Sequence, residues 1–245
     1  MKEKVIAVIF AGGIGQRMYS KSKPKQFLEL HNKPIIIHTL EKFSYNDQVD
    51  AIVIACLEEW IPYMKDLIHR YNVQKVEKIV CGGKNGQGSI YNGLCAAKEV
   101  AEDSPAIVMI HDGVRPFIND QVIADNIRTV KDSGSAITTG EVKETILVVG
   151  NNGSTDYITD RSKSRVAKAP QSFWLKDILG AHERAIAEGK LDFIDSCTMM
   201  HHYGFSLQLV DGPNQNIKIT TPEDFYTMRA MLDAKENAQI YGYQE

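Results

Sequence analysis

Apolar residues along the chain follow two alternating rhythms. Four short runs, "VIAVIFAGG", "DAIVIAC", "VEKIVCGG" and "AIVMIHDG", are nearly continuous in apolar residues, as expected of parallel strands covered on both faces. Between them lie "PIIIHTLEKF", "EEWIPYMKDLIHRY" and "GSIYNGLCAAKEVA", where apolar positions recur at helical spacing. The alternation predicts an α/β fold on a doubly wound, mostly parallel sheet with right-handed crossovers, a Rossmann-like arrangement. Ligands of such sheets bind beyond the carboxyl ends of the strands. That edge reads "AGGIGQR", "ACLEEW", "CGGKNG" and "HDGVRPF".

After Gly134 the rhythm changes. "AITTGEVKETILVV", the turn signal "GNNGS" and "TDYITDRSKSRV" predict a β-ribbon over residues 140–165, protruding from a single domain over residues 1–245. A two-stranded ribbon is marginal alone, and a second copy of the chain is its economical support. The chain returns through a helix in "WLKDILGAHERAIAEG", a strand in "FSLQLV" and a last helix after "NIKITTPED". There Thr221 can cap, Pro222 suits the first helical position, and Glu223 and Asp224 favour the positive helix end.

Composition narrows the function classes. A chain of 245 residues, 43% hydrophobic, can bury the core of one large α/β unit. Lys+Arg 28 against Asp+Glu 31 gives a net charge of −3, so no basic field points to nucleic acid, and a small-molecule ligand is expected. No apolar run approaches the ~20 residues of a membrane helix, and "MKEKVIAVIF" reads as a buried first strand, so a soluble, cytoplasmic protein is expected. Cys56, Cys81, Cys95 and Cys197 lie far apart with no C-x-x-C pair, which favours structural thiols in a reducing compartment over zinc or disulfides.

The candidate chemistry begins at "FAGGIGQRMYSKSKPKQF". Gly12, Gly13 and Gly15 let backbone amides approach a phosphate, since no Cβ intervenes. The stretch lacks the G-x-x-x-x-G-K-[ST] of a P-loop, and Met18 stands where a third dinucleotide-fold glycine would, which disfavours a nicotinamide enzyme. Arg17, Lys21, Lys23 and Lys25 add the cations that can stabilise a polyphosphate leaving group.

Taken in order, "AGG-x-G-x-RM", "PKQF", the "GG" of the third strand, "HD-x-VRPF", "PQSF" and "NIKITTPED" resemble the family of cytidylyltransferases acting on sugar-alcohol phosphates. The likeness spans essentially the whole chain. Its two well-known branches act on ribitol 5-phosphate, for teichoic acid or capsule, and on 2-C-methyl-D-erythritol 4-phosphate, for isoprenoid synthesis. The resemblance implies that Arg17 and Lys25 contact the triphosphate, and that Lys218 holds the α-phosphate and the acceptor. Arg161 and Thr145 would grip the acceptor, serving the neighbouring copy's site in a homodimer joined by the ribbon. Phe10, Ala11, Gly12, Gly13, Gly15, Gly82, Gly83, Ser89 and Asp112 would form the CTP pocket, with Asp112 near the ribose and a Mg²⁺ ion.

Three positions depart from the family pattern. Gly86 stands in "GGKNG" where an arginine is common, with Lys84 nearby, and Gly113 replaces an alanine. Ala169 stands where both well-known branches carry a threonine beside the acceptor pocket, and losing a buried hydrogen-bond partner can shift substrate preference by orders of magnitude, which leaves open an acceptor different from either familiar one. "IDSCTMM", "KPIIIHTLEKF" and "PQSF" look closer to the ribitol-phosphate branch. The erythritol-phosphate enzyme is the alternative within the same chemistry. A non-catalytic nucleotide-binding protein is the alternative outside it, although Arg17, Lys25, Arg161 and Lys218 are all present.

Overall fold

A computed structural model describes residues 2–13 and 23–241. The first strand, β1 (Lys4–Ala11), is buried almost throughout. A short hairpin of β2 (Glu29–Leu30) and β3 (Lys33–Pro34) leads into α1 (Ile35–Ser44), followed by β4 (Ala51–Cys56), α2 (Ile61–Arg70), β5 (Val76–Cys81), α3 (Gly86–Ala101) and β6 (Ala106–Asp112). The second half runs α4 (Asp120–Ser133), β7 (Ser135–Glu141), β8 (Leu147–Val149), β9 (Thr155–Ile158), β10 (Arg165–Trp174), α5 (Leu175–Ala187), α6 (Ser196–His202), β11 (Leu209–Asp211) and α7 (Pro222–Tyr241).

Seven strands form one sheet in the order β11-β7-β10-β6-β1-β4-β5. The pairs of β1 with β4 and β6, β4 with β5, and β7 with β11 are parallel, while β10 runs antiparallel between β6 and β7. The fold is thus the mostly parallel α/β sheet that the alternating rhythm predicts.

The continuous apolar runs have a direct cause. Along β1, Ala7, Ile9 and Ala11 join the core beneath α1, α2 and α4, whereas Ile6 and Val8 join the core beneath α3, α5 and α6. A strand covered on both faces needs no polar alternation. A third cluster seats α7 through Met228, Phe225 and Leu232 against Leu30, Ile35 and Val114. The start of α7 behaves as its residue types require, with Asp224 accepting from the Thr220 and Thr221 amides at 2.8 and 2.9 Å.

Three features differ from the sequence expectation. Helix α4 follows the fourth strand and is capped by Asn119, whose side chain accepts from the Val122 amide, and ended by Gly134 at φ 86°. The long run after Gly134 begins as β7, buried from Ser135 to Gly140 in the main sheet. Glu141 pairs with Arg165 at that sheet's edge, and the separate ribbon comprises only β8 and β9, closed by a turn with Gly153 at φ 79°. The expected strand in "FSLQLV" is shorter and shifted, covering Leu209–Asp211.

The core also holds a neutral histidine. His182 is buried, stacks on Tyr91 at 5.9 Å, and has no hydrogen-bond partner on either ring nitrogen among the described residues. Burial holds it down at about 4, against an ordinary 6.5. The unfolded chain therefore takes up this proton first, so stability is complete above about pH 6.5 and declines as pH falls toward 4. His182→Leu is expected to flatten the urea-stability profile across that window by about 1.4 kcal/mol per pH unit, one proton's worth. An unchanged slope would refute this origin.

Candidate active site

The carboxyl end of the sheet gathers three loops. Gly12 and Gly13 follow β1, Gly82 and Gly83 follow β5, and Asp112 ends β6. Ser89, in the first turn of α3, ties the loops together: its Oγ accepts from the Gly83 amide at 3.1 Å and donates to the Asn85 carbonyl at 2.8 Å. A Cβ on Gly12 would lie 2.9 Å from this oxygen, and one on Gly83 would lie 2.4 Å from the Gly88 carbonyl carbon. Only glycine permits that closeness. The Asn85 side chain caps α3 by accepting from the Gly88 amide at 2.9 Å, so the positive end of a 16-residue helix opens beside the glycines.

The turn that carries Lys25 lies against the end of β1. The 3₁₀ turn Lys25–Phe27 is pinned under β1 by Gln26, whose buried Nε2 donates to the Ala11 carbonyl at 2.7 Å. Phe27 anchors it against Trp60 and Tyr63, with ring centroids at 5.0 and 5.2 Å. Lys23, which by its residue type would be solvated, instead lies over the Tyr63 ring at 5.3 Å. Arg17, Gly15 and Lys21 lie outside the described residues.

Asp112 is the electrostatic centre. Its Oδ1 lies 2.6 Å from Lys218 Nζ and its Oδ2 accepts from Arg115 Nε at 3.1 Å. Burial alone would push this carboxyl up, but Lys218 and Arg115 outweigh it and hold Asp112 below its ordinary 3.8. Arg115 is itself buried, and its guanidinium donates to the Asn216 carbonyl at 2.8 Å. The Asn216 side chain in turn donates from Nδ2 to the Ala169 carbonyl at 2.8 Å. These bonds join three chain segments far apart in sequence: "HDGVRPF", "KAPQSF" and "NQNIKIT".

A cavity of about 380 Å³ opens over this network. Its wall includes Phe10, Asp112, Arg115, Lys168, Lys218 and Asp195. Lys218 is 43% exposed and its ammonium stands 5.8 Å from the Phe10 ring centroid. Ala169 and Gly86, both departures from the family pattern, also line it. Asp195 is set by Gln171, whose Nε2 donates to its Oδ2 at 3.1 Å, while its Oδ1 caps α6 through the Thr198 amide. Arg161 and Thr145 line none of this cavity: both are exposed on the ribbon side, where Arg161 donates to the Lys143 carbonyl at 3.2 Å.

Arg115, Lys168, Asn216 and Asp195 are absent from the site that the sequence suggests. Arg115, Asp195 and Asn216 sit inside quoted motifs, and the first two could have been marked as charges within "HDGVRPF" and "IDSC". Nothing in the spacing foretells that Lys168 and Asn216 meet them.

Comparison with known proteins follows this geometry. The family profile described as 2-C-methyl-D-erythritol 4-phosphate cytidylyltransferase (IspD) matches residues 5–234. The chain belongs to this family. A ribitol-5-phosphate cytidylyltransferase of Streptococcus agalactiae serotype III is 52% identical over 97% of this chain and 99% of that protein. One of Vibrio parahaemolyticus is 51% identical with the same coverage. A 2-C-methyl-D-erythritol 4-phosphate cytidylyltransferase of Clostridium botulinum is 39% identical over 92% of this chain and 96% of that protein. Among solved structures, 4-diphosphocytidyl-2C-methyl-D-erythritol synthase of Anaerococcus prevotii superimposes with a TM-score of 0.82 at 25% identity, covering 94% of this chain and 96% of that one. As a member of the cytidylyltransferase family the chain is a nucleotidyltransferase, and among its described residues no helix is long and apolar enough to cross a membrane.

Proposed function

We propose that this cytidylyltransferase moves CMP from CTP to ribitol 5-phosphate, releasing pyrophosphate and forming CDP-ribitol for a cell-wall or capsule polymer. The observation that carries this choice is the 52% identity, over nearly full length, with a relative named for ribitol 5-phosphate, against 39% for one named for the methylerythritol phosphate.

The glycine loops, with Ser89 between them, take the triphosphate, and Lys25, held against β1, together with Arg17 neutralises charge as pyrophosphate leaves. A phosphate oxygen of the acceptor attacks the α-phosphorus and the bond to the bridging oxygen of pyrophosphate breaks. That oxygen is already ionised at neutral pH, so no strong general base is needed. Positioning and charge neutralisation supply the acceleration. Lys218 serves both the α-phosphate and the acceptor. Mg²⁺ fits the donor set at Asp112, since this ion takes few protein ligands and keeps waters and phosphate oxygens; when bound it would draw charge from the triphosphate.

The ribbon is the proposed dimer arm. Leu147, Val149, Tyr157 and Ile158 are 51–64% exposed on two short strands that make a sheet of their own, and an isolated hairpin is marginal in water. Arg161 and Thr145 would then complete the acceptor site of the neighbouring copy. Mass spectrometry of a reaction with CTP, Mg²⁺ and ribitol 5-phosphate tests the function: a CDP-ribitol product is expected, and its absence contradicts the proposal.

A further inference from the structure

Lys168 is a cation that the site described so far leaves without a task. It lies on β10, directly before Ala169, half-buried in the wall of the cavity over Asp112. The fold makes room for it: a Cβ on Gly140 of the neighbouring strand β7 would come within 2.7 Å of its Cε. Among the described residues its ammonium reaches two main-chain oxygens, of Pro213 at 3.3 Å and Asn214 at 3.4 Å, both long for hydrogen bonds. Among the described residues no ion pair includes it, whereas Arg115 and Lys218 both lean on Asp112.

Two cations, Arg115 and Lys143, act on Lys168. Burial first, then the charges of Arg115 and Lys143, push it below the ordinary lysine value of 10.5. A lysine crowded by cations and partly stripped of water gains most from an anion with several acceptor oxygens. The Asp112 carboxylate pairs with Arg115 and Lys218 and lies beyond ion-pair distance of Lys168. A phosphate group entering the cavity can meet that demand.

We propose that Lys168 is an acceptor-binding residue that holds the phosphate of the alditol phosphate from within the same chain. The inference rests on the proposed function, in which this cavity takes the acceptor. It assigns the charge recognition of the acceptor to "KAPQ" as well as to the ribbon. Directly after Lys168, the small Ala169 leaves space for the polyol.

The test is steady-state kinetics of wild type, Lys168→Gln and Lys168→Arg with CTP and ribitol 5-phosphate, alongside thermal unfolding of each. The expected result is a tenfold or greater rise in the acceptor KM for Lys168→Gln, recovery to within threefold of wild type for Lys168→Arg, and a CTP KM changed less than twofold. An acceptor KM within twofold of wild type in Lys168→Gln overturns the inference. So does a loss expressed in the CTP KM instead, or an equal loss in Lys168→Arg. If Lys168→Gln is unfolded, the inference stands or falls on Lys168→Arg and on Lys168→Met, which keeps the length of the apolar stem. Failure of the wild type to turn over ribitol 5-phosphate is a separate outcome: it overturns the proposed function and this inference with it, whereas a normal wild type with an indifferent Lys168→Gln overturns this inference alone.

Discussion

Replacing Lys218 by alanine is expected to lower kcat by about 10²–10³, the loss typical when one preorganised charge is removed from a developing anion. The Lys218 ammonium stands 2.6 Å from Asp112 and over the Phe10 ring, at the mouth of the cavity rather than within the core. Its removal leaves Asp112 still paired with Arg115 at 3.1 Å, so the folded state should survive with little change in melting temperature. Lys218→Arg keeps the charge but replaces a compact donor by a wider fork, and should recover only part of the rate. Pyrophosphate release under saturating substrates measures kcat directly. A kcat within tenfold of wild type in Lys218→Ala would show that the lysine takes no part in the transfer step.

Asp112→Asn should affect stability and activity together. The buried Arg115 and the nearby Lys218 would lose their shared counter-charge, and breaking a buried ion pair by removing one partner costs about 3–5 kcal/mol. For a chain of this size that corresponds to a melting temperature lower by roughly 10 °C, with activity reduced at least as far as in Lys218→Ala. The sign of the pH dependence follows from the carboxyl's depressed value: its contribution is complete above the ordinary 3.8 and is lost as pH falls through the lower folded value. Asp112→Asn should therefore lose most relative to wild type at neutral pH, and the gap should close in acid. Adding Arg115→Met to Asp112→Asn removes the stranded cation and should restore stability without activity, a coupling that a double-mutant cycle reads out. Differential scanning calorimetry of the four proteins decides the matter, and a neutral-pH melting temperature unchanged in Asp112→Asn would contradict it.

The frame of the fold is visible in the chain because β1, β4 and β6 are covered on both faces, and that coverage prints as nearly unbroken apolar runs, whereas β5, at the sheet's edge, is only partly buried and carries Glu77 and Lys78. The glycine loops are equally visible, since the approach of Gly83 to Gly88 and of Gly12 to Ser89 tolerates no side chain. Other features escape local pattern for physical reasons. Strand β10 reads as the return of a ribbon, but its place between β6 and β7 depends on pairings such as Phe173 with Val108 and with Ser135. The clamp on Asp112 is non-local: Arg115 reaches Asn216 across 101 positions, and Asn216 reaches Ala169 across 47. No spacing rule encodes a contact of that kind. Lys168 escaped because a single lysine on a strand ordinarily reads as solvated, and its charge environment exists only once the cavity has formed.

The central claim concerns which alditol phosphate this cytidylyltransferase accepts, and one comparison addresses it most directly. The ratio of kcat/KM for ribitol 5-phosphate to kcat/KM for 2-C-methyl-D-erythritol 4-phosphate should be measured with CTP and Mg²⁺ on the same preparation. A ratio of at least 100 in favour of ribitol 5-phosphate is expected, about 2.7 kcal/mol of discrimination in the transition state. A ratio near one, or one favouring the methylerythritol phosphate, would contradict the proposed acceptor.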